Sequence, residues 1–144
     1  MKKIIKAKMK DLQEIILLNK QFNLAIPNFY WDSEKWISSE IKKGNYYILI
    51  DEDSTLGAIN IKKYKKEHHI LTIAINKEVH GKSLGKKLIE FAKENAINTK
   101  AELLTVGSFI DYNLDTFYTK CGFKKRDKLG EYEGHKYFEF FMKL

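Results

Sequence analysis

The sequence predicts a mixed α+β fold: one mostly antiparallel sheet, helices on both of its faces, and one parallel β-α-β crossover. Three observations carry this prediction. The apolar residues change period along the chain, from alternation to helical spacing and back. The elements so marked run β-α-α-β-β-β-α-β-α-β-β. A strand–helix–strand unit in the middle calls for a right-handed parallel crossover, whereas the short turns elsewhere suit antiparallel neighbours. With 144 residues and no repeat, low-complexity tract or break in composition, the chain reads as one domain, residues 1–144.

"KKIIKAK" alternates and opens the sheet. Asp11 lies three residues before Glu14, a pattern like a capping box, and Leu12, Ile15, Ile16, Asn19 and Phe22 follow at helical spacing. "IPNFYWD" breaks that helix. A second helix is predicted from Ser33 to Lys43, with Trp36, Ile37 and Ile41 inward and Gly44 as its stop. "YYILI" ends at the turn "DEDS", "LGAINIKKY" ends at the charged turn "KKEHH", and "ILTIAI" follows; together they predict an antiparallel meander. Leu84, Leu88, Phe91, Ala92 and Ala96 mark one face of a helix that runs to about Thr99. "AELLTV" carries few polar residues and is expected at the centre of the sheet. "NLDTFYTK" reads as a short helix closed by Gly122, and two strands around "GEYEG" complete the chain.

The charge balance narrows the function classes. A net charge of +7 attracts anions, which include nucleic acid, phosphorylated cofactors and acidic substrates. The basic residues are nearly all lysine, with Arg126 as the one arginine, and no nucleic-acid recognition motif is present. Nucleic acid is therefore not an expected partner. No apolar run approaches the roughly 20 residues that span a bilayer, and the start "MKKIIKAKMKD" lacks the apolar block of a signal peptide. A cytoplasmic location without a membrane partner is expected. The single cysteine, Cys121, precludes an internal disulfide and reads as an inert, partly buried thiol. His68 and His69 are adjacent, and neighbours on a strand face opposite sides, so no metal is expected.

The stretch "EVHGKSLGKKLIEFA" carries the strongest local signal. A strand, a glycine-containing turn and a helix form a recurring anion site. The first N–H groups of a helix lack intrahelical partners, its dipole favours negative charge, and glycine allows close approach. Gly81 and Gly85 supply the room, and Lys82, Lys86 and Lys87 the positive charge. The spacing is neither a Walker loop nor G-x-G-x-x-G. By itself the turn is compatible with a phosphate site or with an ordinary helix start.

Three motifs in this order of elements resemble the GNAT superfamily of acetyl-CoA-dependent N-acetyltransferases, over nearly the whole chain. "LTIAINKEVHGKSLGKKLIEFA" is similar to that family's strand, pyrophosphate loop and helix, in which the loop reads [QR]-x-x-G-x-[GA]. The matching positions are His80, Ser83 and Gly85; the last keeps the usual residue, and the first two depart from it. "FYTKCGF" is similar to the family's "xYxKxGF", and "IKAKMKDLQEI" to its first strand and helix. The resemblance implies a three-layer α/β/α fold. In it the strand at 70–75 splays from the strand at 101–107 to form a cleft for acetyl-CoA.

The resemblance also implies roles. Main-chain groups of Ile73, Ala74 and Ile75 would pair with the pantetheine arm, and an N–H near Ile75 would polarise the thioester carbonyl. His80, Gly81, Lys82, Ser83, Leu84, Gly85 and Lys86 would wrap the pyrophosphate, chiefly with main-chain N–H groups, and the Ser83 hydroxyl can cap the helix. Tyr118 would donate a proton to the departing thiolate. Asn113, near the place of a family asparagine occupied here by Asp111, is a further cofactor contact. Tyr30 and Trp31 fall in the segment that lines the acceptor side. The base that must deprotonate the amine is not identified by a motif; Glu102 is taken as the candidate, with Glu67, His68 and His69 as others. The expected reaction is direct transfer from acetyl-CoA to a primary amine of a small molecule or protein, by a monomer or homodimer. The alternative is a catalytically weak or inactive acyl-CoA-binding module.

Overall fold

The computed structural model describes residues 1–81 and 83–144. Its strands are β1 (Lys2–Lys6), β2 (Tyr46–Asp51), β3 (Ser54–Lys63), β4 (Glu67–Ile75), β5 (Leu103–Phe109), β6 (Lys124–Lys125), β7 (Gly130–Tyr132) and β8 (His135–Lys143). Its helices are α1 (Leu12–Lys20), α2 (Glu34–Lys42), α3 (Leu84–Asn98) and α4 (Asp115–Lys120). The described residues form one eight-stranded sheet in the order β1-β2-β3-β4-β5-β8-β6, with β7 pairing to β8. β4 and β5 are its parallel pair, and α3 makes the crossover between them. β5 lies between β4 and β8, the central position expected for "AELLTV".

Two apolar layers sandwich the sheet. On one face Leu84, Leu88, Ile89 and Ala92 of α3 pack on Ile59, Ile61, Ile70, Leu104, Val106 and Phe140. On the other, Ile15, Ile16, Leu18, Ile37 and Ile41 of α1 and α2 pack on Tyr46, Ile48, Ala58 and Ala74. These sets are the i, i+3, i+4 stripes of the helices and alternate positions of the strands. A buried polar cluster fastens α2 to the sheet: Glu40 Oε1 accepts from Asn45 Nδ2 and from Asn60 Nδ2, each at 3.1 Å. Both Nδ2 groups find an acceptor in this way at the Glu40 carboxylate, which limits the cost of its burial, while Asn60 Oδ1 is buried without a partner.

Three local expectations are corrected. Asp11 does not cap α1 through its side chain; its Oδ2 accepts from Lys8 N at 2.8 Å, across a 3-10 turn that precedes the helix. Asp11 has helical rather than extended backbone, so its carboxylate cannot reach forward to the first helical N–H groups. "KKEHH" is not wholly a turn, because β4 starts at Glu67 and both histidines are in the ladder. Pairing on both sides, Lys62↔His69 with β3 and His69↔Thr105 with β5, overrides the polar composition of that stretch. The two-residue strand β6 is additional, and is too short to leave a periodic signal. The second helix falls where expected, with Ser33 as its cap, the Oγ accepting from Trp36 N at 3.1 Å, and Gly44 follows with φ +76°.

Candidate active site

The site begins where the parallel pairing stops. β4 and β5 pair over Glu67–Ile70 and Leu103–Val106, and the remaining lengths of both strands run on without a mutual partner. The β3–β4 register shifts between Asn60 and Ile61, so Leu71 is an extra residue on β4 at the point of divergence. A bulge of this kind raises local twist and turns a strand away from its neighbour. Between the separated strands lies a cavity of about 340 Å³, lined by His69 to Ala74 of β4 and Gly107 to Phe109 of β5.

Strand geometry decides which main-chain groups face this opening. Asn76 N donates to Leu56 O of β3 at 2.9 Å. Alternation then turns the backbone of Ala74 towards β3 and that of Ile73 and Ile75 towards the opening. Of the three residues expected to offer main-chain groups there, two do so. The Ile75 carbonyl is already engaged: His80 Nε2 lies 2.7 Å from it. A carbonyl accepts only, so Nε2 carries the proton. The His80 ring also stacks on Phe22, with centroids 6.0 Å apart and planes at 17°. The side chain is thus committed to the strand end and to the turn that follows α1.

The loop that follows reaches α3 through two left-handed residues, Gly81 at φ +86° and Ser83 at φ +59°. The Ser83 hydroxyl makes no capping bond to α3, contrary to expectation. A capping side chain needs extended backbone at its residue, and Ser83 has left-handed backbone instead. Leu84 is buried and anchors the helix start, while Lys86 is exposed beside it. A Cβ at Gly85 would lie 3.0 Å from Phe117 Cζ, so the glycine lets α3 sit close against α4. The unpaired N–H groups of this first turn, with the helix dipole behind them, suit an anion. Lys82, expected in the same set, lies outside the described residues.

Tyr118, on α4, is 2% exposed and lines the cavity. Its ring packs on Phe140 at 5.1 Å and on Phe123 at 5.8 Å. Burial pushes its hydroxyl well above the ordinary tyrosine range. Asn113 is exposed and left-handed at φ +56°, and is not among the residues that line the cavity. Its neighbour Tyr112 is, with its hydroxyl donating to Phe22 O at 2.5 Å and burial raising it to about 12. Burial likewise raises the Cys121 thiol, which lies outside the cavity lining.

The opposite side of the opening is aromatic. The Tyr30 and Trp31 rings lie 4.3 Å apart, tilted by 30°, and Trp31 meets Tyr132 at 5.1 Å and Phe109 at 5.9 Å. Asn19 Nδ2 holds this segment by donating to Trp31 O at 2.7 Å and to Tyr46 Oη at 2.9 Å. Tyr132 and Tyr137 come from the last hairpin, and no pattern in the sequence marked them or Tyr112 as site residues. Their signal is topological: β8 lies beside β5, and β7 beside β8.

His69 lines this cavity and also a second, polar one of about 230 Å³ that includes Glu67, Thr105, Arg126 and Glu139. Thr105 Oγ1 donates to Glu67 Oε1 at 3.3 Å and stands 2.5 Å from His69 Nδ1. The one hydroxyl proton is given to the carboxylate, so Nδ1–H donates to Oγ1 and Nε2 keeps its lone pair. Burial holds the imidazole below the usual histidine range, against the opposing pull of Glu67 and Glu139. His68 faces the other side of the sheet, with Nε2 3.1 Å from Thr99 Oγ1. Glu102 is exposed at the far end of β5, roughly 17 Å along the strand from Gly107, and lines neither cavity.

A family model described as an acetyltransferase (GNAT) domain matches residues 23–144. The chain belongs to the GNAT acetyltransferase family. No curated protein matches it. Among solved structures, the GNAT chain is similar to Ard1 from Thermoplasma volcanium, at 15% identity and TM-score 0.83 over 99% of this chain and 97% of that one. It is similar to the PaiA N-acetyltransferase from Thermoplasma acidophilum in complex with coenzyme A, at 17% identity and TM-score 0.78 over 100% and 99%. N-acetylglutamate synthase from Neisseria gonorrhoeae, complexed with coenzyme A and N-acetyl-glutamate, matches at 16% and TM-score 0.82, over 100% of this chain and 35% of that one. At these identities the likeness is one of fold. Membership in the GNAT family makes acyl transfer from acetyl-CoA the general class of reaction. Among the described residues no helix is long and apolar enough to cross a membrane.

Proposed function

We propose that this GNAT domain transfers the acetyl group of acetyl-CoA directly to a primary amine within one ternary complex. The observation that carries the reading is the opening between β4 and β5, which reaches both faces of the sheet. Tyr118 and the start of α3 stand on one face, and the Tyr30–Trp31 wall and His69 on the other. A thioester entering from the first side and an amine from the second meet at Ile73–Ile75. The N–H groups of those two residues are fixed donors for the tetrahedral oxyanion, a kind of stabilisation worth a few kcal/mol. The loop from Gly81 to Lys86 and the first turn of α3 hold the pyrophosphate. His80 contributes by bracing the strand end, and Asn113 contacts the cofactor outside the cavity.

His69 is the base, in preference to Glu102, because it lines the cavity with Nε2 unprotonated. It takes one proton as the amine nitrogen bonds to the carbonyl carbon, and Thr105 and Glu67 hold the ring in the required tautomer. The C–S bond then breaks towards the Tyr118 hydroxyl. Burial lowers the acidity of Tyr118, so the hydroxyl serves as a hydrogen-bond donor to the thiolate more than as a full proton source. Initial rates with both substrates varied, read as released thiol over a panel of amines, test the scheme. Intersecting double-reciprocal lines are expected. Parallel lines would establish an acyl-enzyme, and coenzyme A binding without any acetylated amine would leave a binding module.

A further inference from the structure

The acceptor side of the cavity is unusual in what it is made of. Phe22, Phe29, Tyr30, Trp31, Tyr132 and Tyr137 wall it. Among the described residues that line it there is no lysine, arginine, aspartate or glutamate, and His69 is the one imidazole. Much of the polar capacity nearby is already spent. Tyr112 Oη donates to Phe22 O and Tyr132 Oη to Asn28 O, each at 2.5 Å, and Asn19 is committed to Trp31 and Tyr46. These bonds also tie three separate segments together, so the wall is built before any ligand arrives.

Such a wall discriminates by chemistry. An α-amino acid would bring a carboxylate with no cation in this lining to meet it, since Arg126 of the adjoining polar cavity is paired with Glu139 at 3.9 Å, and a polyamine or aminoglycoside would bring further ammonium groups to a lining without carboxylates. A buried, unpaired charge is expensive. A single ammonium is different. Aromatic faces attract it on entry, and the apolar surroundings then favour its neutral, nucleophilic form. The volume of about 340 Å³, shared with the thioester end, is that of a small-ligand site.

We infer that the acceptor is a small primary monoamine with an aromatic or apolar body and no carboxylate, an arylalkylamine in class, its ring against Trp31. This rests on the transferase reading above. In the reaction the amine nitrogen bonds to the acetyl carbonyl carbon and loses one proton to His69. The entering ammonium gives its first proton to solvent before attack; the C–S bond then breaks, and the proton taken by His69 passes through solvent to the thiolate, giving an amide and free coenzyme A.

The test compares phenethylamine, L-phenylalanine and spermidine at saturating acetyl-CoA, with coenzyme A binding measured separately by calorimetry. Phenethylamine and phenylalanine share the ring and differ by the carboxylate. A kcat/KM for phenethylamine at least about 100-fold above the other two is expected, as is a loss of about 10- to 100-fold in Trp31→Ala at constant KM for acetyl-CoA. Tyr30→Ala, at a half-exposed position, serves if Trp31→Ala melts early. Phenylalanine or spermidine turned over as well as phenethylamine, with coenzyme A bound normally, would overturn the acceptor class and leave the transferase standing. Failure to bind coenzyme A, or acetylation of no amine, would remove both.

Discussion

Replacing Tyr118 by phenylalanine isolates one hydroxyl. The ring contacts survive the change, since Phe140, Phe123 and Phe117 meet the ring at 5.1, 5.8 and 5.0 Å and not the oxygen. The volume is nearly conserved, so the melting temperature should move little. What is lost is one donor to a developing thiolate. A hydrogen bond to a charged group is worth about 1.5–3 kcal/mol, which converts to a fall in kcat of about 10- to 150-fold. The buried phenol keeps its proton well above the ordinary tyrosine range. The donor is therefore present at every pH at which the protein is studied, and the defect should be constant from pH 6 to 9. The assay is thiol release at saturating acetyl-CoA, with KM followed in parallel. A kcat within twofold of the parent, at unchanged melting temperature, would refute the role.

Two other substitutions probe the remaining parts. His69→Gln should lower kcat/KM by about 10²- to 10⁴-fold, the usual range for a general base. Burial lowers the pKa of this histidine, and the neutral form is the active one. The acid limb of the parent's kcat/KM should consequently fall below pH 6.5, and an acid limb above that value, or one retained in His69→Gln, would count against it. Gly57→Ala would put a Cβ 2.6 Å from Ile75 Cδ1 and 2.9 Å from Ala74 O. The β4 backbone must shift, at about 1–3 kcal/mol of stability and with a raised KM for acetyl-CoA; an unchanged melting temperature and KM would show that the strand has slack.

The order of elements was legible because each element buries one face, and burial writes its period into the sequence. Leu84, Leu88, Ala92 and Ala96 announce α3 in this way, and Ser33 and Gly44 bracket α2. Features set by strand pairing were not legible. The histidines at 68 and 69 sit in a charged stretch, and their inclusion in β4 depends on partners in β3 and β5. The same cause explains why Glu102 looked as eligible as His69. A strand's composition does not say which of its ends faces a cavity. Ser83 misled for another reason: serine favours helix starts, but its backbone sign here follows from the loop and not from the residue. The aromatic wall draws on three distant segments, so its composition emerges only once the hairpin of β7 and β8 is laid beside β5.

The short seam between β4 and β5 has a mechanical consequence. Four residue pairs join two wings, one built of β1 to β4 and the other of β5 to β8. Past Ile70 and Val106 the wings share no ladder rungs, and the hydrogen bonds from Tyr112 to Phe22 O and from Tyr132 to Asn28 O bridge them across the cavity. An extended molecule lying along Ile73 and Ile75 would stand in for the missing rungs and lock the angle between them. Slowed amide exchange at Ile73 and Ile75 in both wings' shared cleft would register that locking directly, before any chemistry takes place.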